Sequence, residues 1–235
     1  MPDSDMPLWA VIPAAGLGTR MAENAVLGCK ELVKVNGITM LEHTIQELEN
    51  AGFQHIVVVS SHNKPAIDEA LVNRGVKIVH QAEPKGLVDA VKCARKITGE
   101  GPSLIALPDI MFIDANPSVE LLENFAGETM LVVVKVEAPW GKQLRDTGRV
   151  IEMQDNKIVA IAGKKPDEKF PLGELRITGR AIWTEAFWKV NDGNEVSTLR
   201  KLASEQKLFS TIVKTEYIDV GNPEGYNYAQ SHFNR

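Results

Sequence analysis

Apolar residues fall in short runs through the first half of the chain, each followed by a polar or glycine-bearing segment. Residues 8–13 (Leu-Trp-Ala-Val-Ile-Pro) form the first run, and a Gly-rich stretch follows at once, which predicts a buried strand feeding a tight loop. Met40, Leu41, Ile45 and Leu48 then recur at near-helical spacing, predicting a helix over 39–51 that Gly52 ends. The run 55–59 (His-Ile-Val-Val-Val) has the continuous apolar character of a strand covered on both faces. Further along, 64–74 is expected to be helical, 76–79 a third strand, 86–97 an amphipathic helix and 103–107 a fourth strand. Strands that alternate with helices in this way predict a parallel, three-layer sheet with right-handed crossovers.

The second half has a different grain. Alternation is less clean over 130–136, and 148–162 is expected to form a hairpin turning at Gln154-Asp155-Asn156. Strands are expected at 176–183 and 211–218, and helices at 117–125 and 196–206. No repeat, linker or low-complexity stretch breaks the chain. The expectation is one mixed α/β domain over 1–235, with a nucleotide-binding half at about 8–115 and an acceptor-binding half at about 116–235.

Composition adds limits. A chain of 235 residues with 44% hydrophobic and 24% charged residues is long enough for one sizeable α/β core. The net charge of −5 argues against a surface that coats nucleic acid, yet leaves room for a few local donors around one nucleotide. Met1 to Met6 are polar and acidic, so no signal peptide is expected. No run approaches the roughly 18 apolar residues of a membrane span, and a cytoplasmic location without membrane partners is the expectation. Cys29 and Cys93 match no metal-ligand spacing and are expected to be reduced thiols. The histidines at 43, 55, 62, 80 and 232 show no metal spacing either. Trp183, Phe187 and Trp188, near helical spacing, are read as packing or a contact between subunits, so the oligomeric state stays open.

Four motifs carry candidate chemistry. Ala14-Ala15-Gly16-Leu17-Gly18-Thr19-Arg20 directly follows the first strand. Glycines there let the backbone approach a ligand, successive N–H groups can cradle phosphate oxygens, and Arg20 can add a bidentate contact. Alone, the pattern is equally a turn joining strand to helix. It is neither the dinucleotide fingerprint nor a Walker A loop. Lys30 lies ten residues after Arg20 and could embrace a triphosphate with it. After the third strand, Gln81 can read a base edge with donor and acceptor together, and Gly86 allows backbone to come close to a base. Finally, Asp109 follows the fourth strand and Asp219 ends another strand-like run. Two carboxylates converging from distant strands suit Mg²⁺, which completes its shell with waters and phosphates.

The chain resembles the sugar-phosphate nucleotidyltransferases (nucleoside-diphosphate-sugar pyrophosphorylases), closest to the bacterial UTP–glucose-1-phosphate uridylyltransferases. The resemblance runs from Ala10 to about Ala229. Its most specific part is Ala10-Val11-Ile12-Pro13-Ala14-Ala15-Gly16-Leu17-Gly18-Thr19-Arg20-Met21. Lys85-Gly86-Leu87, Leu107-Pro108-Asp109, Ile177-Thr178-Gly179-Arg180 and Asp219-Val220-Gly221-Asn222-Pro223 match the later motifs. The resemblance implies a Rossmann-like, three-layer α/β/α mixed sheet of the GT-A-like nucleotidyltransferase fold. It implies that Arg20 and Lys30 hold the triphosphate as the catalytic cations. Ala14, Ala15, Gly16, Gly18, Thr19, Gln81 and Gly86 would bind the nucleotide, Asp109 and Asp219 would bind Mg²⁺, and Gly148, Lys165, Thr178 and Gly179 would line the acceptor site. The partners are then a nucleoside triphosphate, UTP or dTTP favoured, and a sugar 1-phosphate.

Departures fall mainly on the acceptor side, and the nucleotide side is nearly intact. Lys164 stands where the family's Glu-Lys-Pro motif carries its glutamate, and Cys29 stands where a proline precedes the lysine. The segment between Asp109 and Gly148 is compact. A different phosphorylated acceptor, such as phosphocholine with CTP, therefore stays open, as does a degenerate paralogue that binds a nucleotide sugar and regulates a partner.

Overall fold

In the computed structural model, which describes residues 9–18, 28–135, 148–162 and 173–233, the apolar runs become adjacent strands. Strands β1 (Trp9–Pro13), β4 (Ile56–Ser60), β5 (Lys77–His80) and β6 (Ser103–Ala106) are parallel, with β1 between β4 and β6. Their continuous apolar character has a simple cause, since successive side chains feed cores on opposite faces. Ala10, Ile12, Val58, Leu104 and Ala106 enter one core, while Val11, Val57, Val59 and Ile105 enter the other.

Helices cover both faces. Helix α1 (Met40–Asn50) starts at Thr39, whose hydroxyl accepts the Glu42 N–H at 3.1 Å, and it buries Met40, Leu41, Ile45 and Leu48. Helix α2 runs over Pro65–Ala70, shorter than expected. Helix α3 (Leu87–Thr98) follows Gly86, whose φ of 97° suits glycine, and it buries Val88, Ala90, Val91 and Ala94. Helix α4 (Pro117–Asn124) is capped by Asn116.

The rest of the sheet is mixed. Its order is β5-β4-β1-β6-β11-β8-β12-β10-β9, with β8 at Thr129–Lys135, β9 at Arg149–Gln154, β10 at Lys157–Ala162, β11 at Leu175–Trp183 and β12 at Leu208–Val213. The expected hairpin is β9–β10, turning at Asp155 with a φ of 54°. Strand β11 is antiparallel to both β6 and β8, and it joins the parallel half to the second half. Its register against β8 shifts between Ile177 and Ala181.

Two departures from the expected pattern matter for the site. The run 211–218 is not one strand: it splits into β12 and β13 (Glu216–Asp219), which belong to different sheets. Strand β13 pairs antiparallel with β7 (Ile110–Ile113), a ribbon absent from the expected elements. Also unanticipated are a 3₁₀ turn at Lys30–Leu32, the short strands β2 (Lys34–Val35) and β3 (Ile38–Thr39), and helices α5 (Glu185–Val190) and α7 (Pro223–Phe233). Helix α6 (Glu195–Ser204) lies close to its expected place. Trp183 and Phe187 are core residues stacked with centroids 3.9 Å apart, which makes them packing rather than surface. No helix among the described residues is long and apolar enough to cross a membrane.

Candidate active site

In the parallel half, the chain runs from β1 outward to β4 and β5, then returns to place β6 on the other side of β1. The strand order reverses there, and open α/β sheets bind ligands in the crevice such a reversal leaves beyond the strands' C-terminal ends. A cleft of about 480 Å³ lies at that position. Its walls are residues 13 and 15–18 after β1, the Gln81 to Gly86 loop after β5, Leu107-Pro108-Asp109 after β6, and Lys30, Glu31, Glu195 and Gly221. Ala15, Gly16, Gly18, Lys30, Gln81, Gly86 and Asp109, all singled out in the sequence, line this one cavity. Ala14 is fully buried behind it, its N–H bonded to the Val59 carbonyl at 2.8 Å.

The two acids meet by register. The β13–β7 ladder sets Asp219 opposite Ile110, the residue after Asp109. The Val220 N–H donates to the Asp109 carbonyl at 2.8 Å, and the Gly221 N–H donates to Oδ1 of Asp219 at 2.9 Å. A Cβ on Gly221 would lie 2.5 Å from Oδ2 of Asp109 and 3.0 Å from Oδ1 of Asp219. Both carboxylates therefore crowd one point, and only a glycine leaves that point open.

Lys30 closes the group. Its ammonium pairs with the Asp109 carboxylate. Burial alone would lower the pKa of this lysine, but the charge and hydrogen bond of Asp109, with Glu31 and Asp219 nearby, raise it above the ordinary 10.5. Lys30 is a cation held beside two acids, its aliphatic stem 3.4 Å from the position of a Cβ on Gly18.

Gln81 is 3% exposed, and its amide nitrogen is committed to Oδ2 of Asp89 at 2.7 Å and the Gly86 carbonyl at 3.3 Å. Those bonds fix the side chain on the cleft wall and tie it to the loop that starts α3. A fixed amide can present its carbonyl oxygen to a base edge without losing rotamer freedom on binding.

Other expected residues stand apart from the cleft wall. Thr178 donates to the Val132 carbonyl at 3.1 Å. A Cβ on Gly179 would meet Ile110 and Leu107 side chains at 2.8 Å each, so this glycine lets β11 press against the Asp109 turn. Gly148 packs on Ile177, and its carbonyl accepts the Ile177 N–H at 2.9 Å. Thr19, Arg20 and Lys165, with Lys164, lie outside the described residues.

Several residues escaped the sequence reading. Glu31 is 1% exposed, and burial raises its pKa against the pull of Lys64, whose ammonium holds both its oxygens at 3.0 and 2.9 Å. Arg180, fully buried, grips Glu47 at 2.8 and 2.6 Å and donates to the carbonyls of Leu107 at 2.9 Å and Gly179 at 3.1 Å. Arg180 falls within the Ile177-Thr178-Gly179-Arg180 motif, but both pairs join residues far apart in sequence, so no local pattern signals the pairing. Glu195 opens α6, where an acid is usual in a first turn, and nothing local marks it as a cleft residue.

A family model described as a MobA-like NTP transferase domain matches residues 10–169. The chain is 26% identical over 272 residues to a UTP–glucose-1-phosphate uridylyltransferase of Klebsiella pneumoniae, covering 94% of this chain and 90% of that protein. It is 25% identical over 256 residues to the enzyme of that name from Bacillus subtilis (strain 168), covering 92% and 87%. Among solved structures, the UTP-bound UGPase from Acinetobacter baumannii superposes with a TM-score of 0.77 at 21% identity, covering 97% of this chain and 93% of that one. The shared fold, with a family match running from β1 past β10, shows that this chain belongs to the MobA-like NTP transferase family.

Proposed function

We propose that this chain condenses a nucleoside triphosphate, UTP or dTTP favoured, with a sugar 1-phosphate to give a nucleoside-diphosphate sugar and pyrophosphate. The observation that carries this reading is the meeting of Lys30, Asp109 and Asp219 at the end of a cleft floored by the Ala15 to Gly18 backbone. A cation and two acids beside a backbone cradle suit a ligand that carries phosphates and a divalent ion together. The names of the uridylyltransferase relatives support the choice of substrates.

The acceptor's phosphate oxygen attacks the α-phosphorus in line, one P–O bond forms, and the bond to pyrophosphate breaks. No covalent enzyme intermediate is required, so the protein's work is positioning and charge neutralisation. Lys30 supplies positive charge to the phosphates when it leaves Asp109. Gln81 and Gly86 hold the base, with the backbone of Ala14 and Ala15 and the Gly16 to Thr19 loop around it. Arg20 shares the triphosphate with Lys30, and Lys165 draws in the acceptor phosphate. Gly148, Thr178 and Gly179 shape the acceptor side from behind. Asp109 and Asp219 fit Mg²⁺, because two adjacent carboxylates leave most of its shell to waters and phosphates. Held there, Mg²⁺ would neutralise charge on the reacting phosphates. The whole acts as one domain, with the nucleotide half at about 8–115 and the acceptor half at about 116–235, and it works in the cytoplasm, where these substrates are found.

Pyrophosphate release with Mg²⁺ tests this reading, crossing UTP, dTTP, CTP, GTP and ATP with a panel of sugar 1-phosphates and phosphocholine. A signal for UTP or dTTP with a sugar 1-phosphate is expected. A signal for CTP with phosphocholine alone would replace the acceptor. Triphosphate binding with no release in any pair would overturn the enzymatic reading.

A further inference from the structure

The geometry points to Lys64 as a positioning residue for nucleotide binding: its buried ammonium grips the Ala14 carbonyl and thereby aims the Ala15 N–H into the cleft. This inference rests on the nucleotidyltransferase reading and deepens it.

Lys64 lies at the start of α2, is 6% exposed, and reaches across to the loop after β1. Its three donors are all engaged: the Ala14 carbonyl at 3.0 Å, and the two Glu31 oxygens at 3.0 and 2.9 Å. One ammonium thus ties together the loop after β1, the turn that carries Lys30, and the end of the β4 segment.

The Ala14–Ala15 peptide is trans, as are the others described. In a trans peptide the N–H points opposite to the carbonyl that precedes it. Holding the Ala14 carbonyl on Lys64 therefore sends the Ala15 N–H the other way. Ala15 lines the cleft and is 3% exposed, and among the described residues no backbone acceptor meets its N–H. A buried backbone donor without an acceptor is uncommon in folded proteins, and this one stands where a ligand's carbonyl or phosphate oxygen would satisfy it. Lys64 touches no ligand on this account and acts through the peptide it fixes.

A purely structural salt bridge makes a different prediction, and the two can be separated. Removing one partner of a buried pair leaves the other charge stranded, whereas replacing both with apolar residues of similar volume commonly restores stability. Lys64→Met should therefore lower the thermal midpoint, and Lys64→Met/Glu31→Met should recover it. Affinity for UTP, measured by calorimetry, should be at least about tenfold weaker than wild type in both, because the double variant restores packing but not the grip on Ala14. Glu31→Gln keeps Lys64 on that carbonyl and should bind UTP more tightly than the double variant does. Lys64→Met, read below its own unfolding midpoint, gives the same comparison if the double variant does not fold. Wild-type affinity for UTP in either variant lacking Lys64 would overturn the positioning role. A wild-type protein that binds none of UTP, dTTP, CTP, GTP or ATP would instead overturn the nucleotide reading, and this inference with it.

Discussion

Lys30 is a cation set among acids at the end of the cleft. It pairs with Asp109, and that acid, with Glu31 and Asp219 nearby, raises its pKa against the effect of burial. Gln81, proposed to read the base, is held on the cleft wall by Asp89 and the Gly86 carbonyl. Gln81→Ala removes both the amide oxygen proposed to meet the base and the tether on the Gly86 loop. It should raise KM for the preferred triphosphate about tenfold and narrow its margin over the other bases, with kcat less affected. Initial rates with UTP and CTP check this, and an unchanged KM would remove Gln81 from the base site. At this scale the sequence was legible where a short motif brings its residues to the cleft. Gly16, Gly18, Lys30, Gln81, Gly86 and Asp109 line one cleft, and Asp219 meets Asp109 beside it. It was illegible where a partner arrives from afar, since Lys64 meets Glu31 across 33 positions and Arg180 meets Glu47 across 133.

Between elements, the Asp109 turn is braced from behind. Arg180 of β11 donates to the Leu107 carbonyl while gripping Glu47 of α1, and its guanidinium lies 5.2 Å from the Phe112 ring centroid. Arg180→Met would strand Glu47 in a largely buried position, and we expect a loss of about 3–5 kcal/mol in urea unfolding. Gly179→Ala forces a methyl to within 2.8 Å of Ile110 and Leu107, so the turn must move. We expect it to lose about 1–3 kcal/mol and to lower kcat more than it raises KM, because it displaces Asp109 rather than the base site. A second clasp lies on the surface, where Arg74, just beyond α2, holds Glu42 and Glu49 of α1. Partial burial tends to raise the Glu42 pKa, but the Arg74 hydrogen bonds outweigh it and hold the carboxyl below 4.5. A lowered carboxylate pKa contributes stability that is present above the unfolded value and is lost as pH falls through the folded one. Wild type should therefore lose its stability advantage over Arg74→Ala as pH drops below about 4.5 in parallel melts. The parallel strands were legible because apolar runs buried on both faces admit few other structures. The β7–β13 ribbon was not, because its strands are short and only Lys214 and Thr215 separate β12 from β13.

Over the whole molecule, the site exists because two distant parts of the chain meet. Asp109 comes from the parallel half, and Asp219 returns from near the end on a strand outside the main sheet. Folding and ligand binding should then be coupled. A triphosphate at about 100 times its dissociation constant should add about 2.7 kcal/mol of stability, read as a rise in thermal midpoint, and no rise would mean the cleft binds no nucleotide. The sequence pointed to both acids because each ends a strand-like run, but their meeting is a property of the fold. On the proposed function, this meeting point is where the reaction occurs. It is tested most directly by the rate of pyrophosphate release from Asp109→Asn, using the substrate pair that wild type accepts. A fall of at least about 10³-fold is expected in a protein that still folds. A rate near that of wild type would contradict it and move the chemistry elsewhere.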